Sequence, residues 1–111
     1  MVKKKEKLNL IDQYVEIYRC LFNCKQAVIF AKNKEVLSTI NSLAEESLIL
    51  KNLIEKMFQK EKMFDDSLLL LKMQLDQTLE SSPRKNYYSI EKIQSKLNLI
   101  QKELGLRQKS T

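Results

Sequence analysis

Leu10, Tyr14, Ile17, Leu21, Cys24, Val28 and Ala31 follow one another at gaps that alternate four and three. That spacing draws an apolar seam along one face of an α-helix. Ile11, Val15, Tyr18, Phe22 and Ile29 widen the seam, so the buried face is broader than a two-stranded coil needs. A polar interruption follows at Lys32-Asn33-Lys34. Beyond it Ile40, Leu43, Leu50, Ile54, Met57, Phe64, Leu68, Leu71 and Leu75 resume the same alternation, with Ser47 and Glu61 at two seam positions. A short turn between two such helices makes them antiparallel neighbours, crossing at a shallow angle of roughly 20°.

One glycine and one proline in 111 residues leave too little punctuation for a multi-stranded sheet. Leu, Lys, Glu and Gln favour helix. The expected fold is therefore all-α: a single helical domain over 1–111, built on an antiparallel hairpin with a long second helix and a C-terminal helix, bundle-like or coiled-coil-like. The expected bounds are a basic tail at 1–7, a first helix at 8–32, a second at 34–80, a third at 83–104 and a polar tail at 105–111. Asn33 is expected to end the first helix in the left-handed conformation that Asn tolerates. The stretch 59–66 is a possible bend, and Asp65, Asp66 or Ser67 is a possible cap there. The seam passes through it in register without Gly or Pro, which favours continuity. A helix from 35 to 80 is about 69 Å long. The first helix covers only half of that length.

Ser82 before Pro83 is the expected start of the last helix. Its stripe is Tyr87, Ile90, Ile93, Leu97, Ile100 and Leu104. Gly105 is its expected terminator, with Leu106 folding back on Ile100. This helix is expected to lie over the uncovered far half of the second one. Phe64, Leu68, Leu71, Leu75, Tyr87, Ile90, Ile93, Leu97, Ile100 and Leu104 are accordingly the candidate partner-binding residues.

The net charge of +6 resides mostly at the ends: Lys3, Lys4, Lys5 and Lys7, less Glu6, supply three of the six, and Arg107 and Lys109 two more. Nucleic-acid helices carry a concentrated basic face instead, so nucleic acid is not the expected partner. The longest apolar run, Leu68 to Leu71, is far short of the ~20 residues of a membrane span. Asp12, Gln13, Glu16 and Arg19 interrupt what would be a signal-peptide core, and the chain reads as soluble and cytoplasmic.

With no histidine there is no Ser-His-Asp arrangement, and a zinc site at Cys20 and Cys24 would need carboxylates or a second chain. One turn apart on a helix, these two cysteines read as small buried hydrophobes, reduced, with Cys24 nearer the seam and the costlier to replace. A single glycine excludes a Gly-rich phosphate loop. Glu45-Glu46 and Asp65-Asp66 read as solvated surface. No enzyme, metal or cofactor is expected. Tyr87-Tyr88 and Met57, Met63 and Met73 read as packing first and as partner anchors second.

The stretch from Leu10 to about Phe64, and above all KQAVIFAKNKEVLSTINSLAEESLILKNLIEKMFQKE, resembles the flagellar export chaperones of the FlgN type. Gln26-Ala27 leads to the polar hinge Lys32-Asn33-Lys34, and Leu37, Leu43, Glu45, Glu46, Leu48 and Leu50 follow in the pattern of that family. The resemblance implies a type III or flagellar export chaperone that holds hook–filament junction proteins before secretion, with the client contact in the C-terminal part of the long helix. The ends of this chain are more basic than that pattern, and its C-terminal region is short and reads as more ordered. The partner so implied is an amphipathic helix of a client or export component, laid on apolar positions the chain cannot cover itself. A homodimer, a structural coiled-coil subunit and a small regulatory or immunity bundle are the alternative readings of the same stripes.

Overall fold

The structure, a computed structural model, describes residues 4–62, 65–80 and 88–109, with side chains for 10–62, 65–80 and 88–105. These residues form four helices and no strand: α1 Lys4–Ile29, α2 Lys34–Lys60, α3 Asp66–Glu80 and α4 Ile90–Lys109. The all-α fold expected from the spacing is the observed one.

α1 begins at Lys4, inside the expected basic tail, and ends at Ile29, earlier than expected. Its last carbonyls, Ala27 and Val28, accept the amides of Phe30 and Ala31 at 3.1 and 3.3 Å, the tightened final turn that closes many helices. Asn33 is not left-handed. Its backbone is extended (φ −152°, ψ 172°), and its Oδ1 accepts the Val36 amide at 2.9 Å, so it starts α2 rather than ending α1. A capping Asn satisfies a donor that no turn of the helix can reach. Asn33→Ala is expected to lower stability by about 1 kcal/mol and Asn33→Gly by only a few tenths, measured by urea unfolding.

The expected helix over 34–80 is divided. Glu61 closes α2, its amide reaching the Met57 carbonyl at 3.0 Å, and Lys62 turns left-handed (φ 55°). Asp65 opens α3: its Oδ1 accepts the Leu68 amide at 2.9 Å and its carbonyl accepts the Leu69 amide at 3.1 Å. The longest extent of the molecule is 48 Å, well short of the ~69 Å of one continuous helix. The division lets Leu68 enter the core at 3% exposure, where a straight helix would carry it past the end of the hairpin.

Ser82 and Pro83 lie outside the described residues. Tyr88 and Ser89 are not helical, and Ser89 is the cap: its Oγ accepts the Lys92 amide at 3.1 Å and its carbonyl the Ile93 amide at 3.0 Å. α4 therefore starts at Ile90, not at 83. Nor does Gly105 terminate it. Gly105 is helical without a positive φ, and α4 continues to Lys109. A Cβ there meets nothing within 4 Å. Gly105→Ala is expected to raise stability by about 0.5–1 kcal/mol, since Gly has the lower helix propensity and nothing obstructs the methyl group. A thermal melt checks it.

α1 is the centre of the molecule, and α2, α3 and α4 all pack against it. α4 also packs on α2. No Cα of α3 comes within 8 Å of α2 or α4. The core gathers Leu10, Tyr14, Ile17, Leu21 and Cys24 of α1, Ile40, Leu43, Leu50, Ile54 and Phe58 of α2, Leu68 of α3, and Ile93, Leu97, Ile100 and Leu104 of α4. Tyr14 meets Tyr18 and Phe58 edge-on, at 5.2 and 5.3 Å between centroids. Of the two polar seam residues, Ser47 is fully buried and donates to the Leu43 carbonyl at 2.8 Å, while Glu61 is exposed at the end of its helix.

Cys20 and Cys24 are free and both buried, at 0% and 1% exposure. Burial pushes their thiols up, to about 12 and about 11. Equal burial removes the reason for Cys24 to be the costlier one. Cys20→Ser and Cys24→Ser are both expected to destabilise, by about 1–3 kcal/mol each, because each places a hydroxyl in an apolar site.

Candidate protein-interaction surface

The sequence-derived partner residues divide into two sets. Ile93, Leu97, Ile100 and Leu104 of α4 are buried, and Ile90 is partly buried. They cover the α1–α2 hairpin, not the far half of a long second helix. That expectation fails because the second helix folds back: α3 takes its own place on α1, and α4 fills the groove left between α1 and α2. Leu68 of α3 is buried, with Leu71 and Leu75 packed partly buried against the core. Phe64 and Tyr87 lie outside the described residues. The α3 and α4 stripes do not meet.

α3 carries a second apolar group. Leu69, Leu70 and Met73 are 47%, 56% and 59% exposed. A helix of 15 residues thus turns Leu68, Leu71, Leu75 and Leu79 toward the core on one side and shows three large apolar side chains to solvent within little more than one turn. The sequence signal was the run Leu68-Leu69-Leu70-Leu71. Successive residues on a helix stand about 100° apart, so one buried face cannot hold all four. An exposed group of comparable size lies at the hairpin tip, with Val28, Ile29, Phe30 and Leu37, and a smaller one on α2, with Leu48 and Ile49.

Polar contacts hold α3 in place. The Tyr18 hydroxyl donates to Asp76 at 2.7 Å, and the Tyr14 hydroxyl donates to Glu55 of α2 at 2.6 Å. Lys72 stands between these carboxylates, 4.0 Å from Glu55 and 3.9 Å from Asp76. Lys51 reaches Glu55 at 3.4 Å. At the other end of α3 the Lys25 ammonium donates to the Leu79 carbonyl. Burial raises both phenols above their ordinary value. For Tyr14 the Glu55 carboxylate adds to it, and for Tyr18 Asp76 adds while Tyr14 opposes. A phenol so held is a hydrogen-bond donor, not a base.

An open cleft of about 270 Å³ separates α1 from the end of α3, walled by Tyr18, Phe22, Leu75, Leu79 and Tyr88. On α4's side of α1, Glu16 takes Arg19 at 3.1 Å and Lys96 at 3.6 Å, and Gln13 donates to Glu103. Asn23 Oδ1 accepts the Tyr88 amide at 2.7 Å and fixes the start of α4 against α1. Among the described residues no cluster of His, Cys, Asp or Glu could hold a metal ion, and no helix is long and apolar enough to cross a membrane.

Comparison with protein-family models, with curated proteins and with solved structures finds no match for this chain.

Proposed function

We propose that this chain is a protein-binding helical module of the cytoplasm, without catalytic activity, that holds an amphipathic helix of a client protein in the manner of a secretion chaperone. One observation carries the reading: Leu69, Leu70 and Met73 form an exposed apolar group on the helix that is least enclosed by the rest of the fold. Apolar side chains crowded on one helical face are the feature that a helical ligand covers. A Met beside two Leu suits an adaptable contact. The resemblance to export chaperones supplies the class of client, the terminal helices of hook–filament junction proteins. The α4 stripe is already engaged within the molecule, so the contact belongs to α3.

Calorimetric titration with synthetic helices from such proteins tests this. The expected result is binding that the triple substitution Leu69→Glu, Leu70→Glu and Met73→Glu weakens at least ~100-fold, as three contact residues worth over ~1 kcal/mol each imply. Circular dichroism of the variant should stay unchanged. Equal affinities of the two proteins would overturn the placement, and failure of the unaltered protein to bind at micromolar concentration would overturn the chaperone reading.

A further inference from the structure

The bend between α2 and α3 is built from features that a single helix would tolerate. The apolar seam of α2 continues into α3 without a change of register: Ile54, Met57, Glu61, Phe64, Leu68, Leu71 and Leu75 keep the three-and-four alternation across it. Neither Gly nor Pro stands between Lys60 and Asp66, where a fixed corner normally has one. The described residues of the corner depend instead on Lys62, a non-glycine residue at φ 55°, and on one side-chain cap, Asp65 Oδ1 to the Leu68 amide. A left-handed Lys is a strained choice, and straightening relieves it.

The elements beyond the corner are anchored to the same helix. The backbone of α3 packs on α1 alone, with Lys72 reaching Glu55 of α2, and Tyr88, just before α4, is tied to Asn23 of the same α1 that receives α3. α4 packs on that α1 and on α2. If α2 and α3 join into one helix, α3 and α4 leave their own hairpin together. The hairpin they vacate then presents a complementary seat, and the only segment made to fit it is the same segment of another copy.

We infer that this chain exchanges its α3–α4 half, residues 66–109, with a second copy, through fusion of α2 and α3 into one helix over Lys34–Glu80. Each hairpin in the dimer is then completed by the other chain. The Tyr18–Asp76, Lys72–Glu55, Lys96–Glu16 and Asn23–Tyr88 contacts re-form between chains, and among the described residues only the corner at Glu61, Lys62 and Asp65 differs. Exchange of identical elements reproduces all intramolecular contacts except those of the hinge, so hinge residues set the balance. The exchange is slow, because α4 must leave the core first. It is independent of any client and of the outer face of α3.

The test is the monomer–dimer ratio by size exclusion with light scattering, after long incubation over a range of concentrations. The unaltered protein is expected to show a slowly interconverting dimer that grows with concentration. Asp65→Ala removes the cap of the bent form, and Lys62→Ala keeps the left-handed strain there while favouring the fused helix through the higher helix propensity of Ala; the pair is expected to raise the dimer-to-monomer ratio about tenfold. Lys62→Gly relieves the strain of the bent form and is expected to lower it. Spin labels at the exposed positions Asn52 and Gln74, in a Cys20→Ala, Cys24→Ala background diluted with unlabelled chain, report the hinge. Their separation in the dimer is expected to be about 33 Å, the length of continuous helix between them, and much shorter in the monomer. Monomer for all three chains at every concentration, one dimer ratio shared by them all, or a dimer retaining the short separation would overturn the inference.

Discussion

Between pH 9 and pH 11 the protein is expected to lose several kcal/mol of folding stability and to unfold. Four acidic protons are held by burial in the folded state. The Cys20 and Cys24 thiols rise from their ordinary 9.0 to about 12 and about 11, with desolvation the leading cause. The Tyr14 and Tyr18 phenols rise from 10.0, again by desolvation first. In the unfolded chain the thiols ionise near 9.0 and the phenols near 10.0. Above those values the unfolded state binds fewer protons than the folded one, so stability falls as pH rises. It is fully present below pH 9 and is lost toward the folded values. Each group contributes about 1.4 kcal/mol per pH unit while the two states differ, and a domain has only about 5–15 kcal/mol in total. Urea midpoints at pH 8, 9, 10 and 11 measure the slope. A Cys20→Ala, Cys24→Ala variant is expected to lose the part that sets in at pH 9 and to keep the part above pH 10. A midpoint that does not move up to pH 11 would contradict the burial of all four groups.

Ile93→Asp combined with Leu97→Asp is expected to remove most of the remaining stability, by more than ~5 kcal/mol, and not merely to release a terminal helix. Both side chains are 0% exposed, one turn apart, on the face of α4 that meets α1 and α2. Two carboxylates there would be buried without partners, each costing several kcal/mol unless it stays protonated or drags α4 into water. If α4 leaves, Ile100 and Leu104 go with it, and Gln13 and Glu16 lose Glu103 and Lys96. From the sequence alone, such substitutions would leave the hairpin intact, because α4 was expected over the second helix's far half. Leu99→Asp, at a position 56% exposed on the same helix, serves as control and is expected within about 0.5 kcal/mol of the unaltered protein. Helicity and urea midpoint by circular dichroism decide it. An unchanged midpoint for the double variant would show that α4 is dispensable to the core.

The hairpin was legible because its information is local. The seam from Leu10 to Cys24 and that from Ile40 to Ile54 each specify a helix and its inner face, and the polar stretch near Asn33 marks the turn. The role of Asn33 was not legible, since the same side chain suits a left-handed terminator and an N-cap, and only the backbone angles choose. The corner marked by Glu61, Lys62 and Asp65 was concealed by the continuity of the seam through it. Its positive signal was Asp65, three residues ahead of Leu68. The seat of α4 was not readable, because an amphipathic stripe says which residues are buried and not what buries them. The breadth of α1 did carry a hint. Tyr18 and Phe22 lie well off its main seam, a face that one neighbour cannot cover, and α1 proves to have three. The exposed group Leu69, Leu70 and Met73 was implicit in four consecutive leucines, of which the seam accounts only for Leu68 and Leu71.

Hydrogen exchange of the free protein and of its complex with an amphipathic client helix bears most directly on a closed α1–α2–α4 core with α3 as the contact element. Residues 14–27, 40–58 and 93–104 are expected to exchange slowly and together. Residues 66–80, whose backbone packs on α1 alone, are expected to be the fastest helical segment of the free protein and to slow when the client helix is added. An α3 as slow as α1 in the free protein, and unchanged by the client helix, would contradict that account.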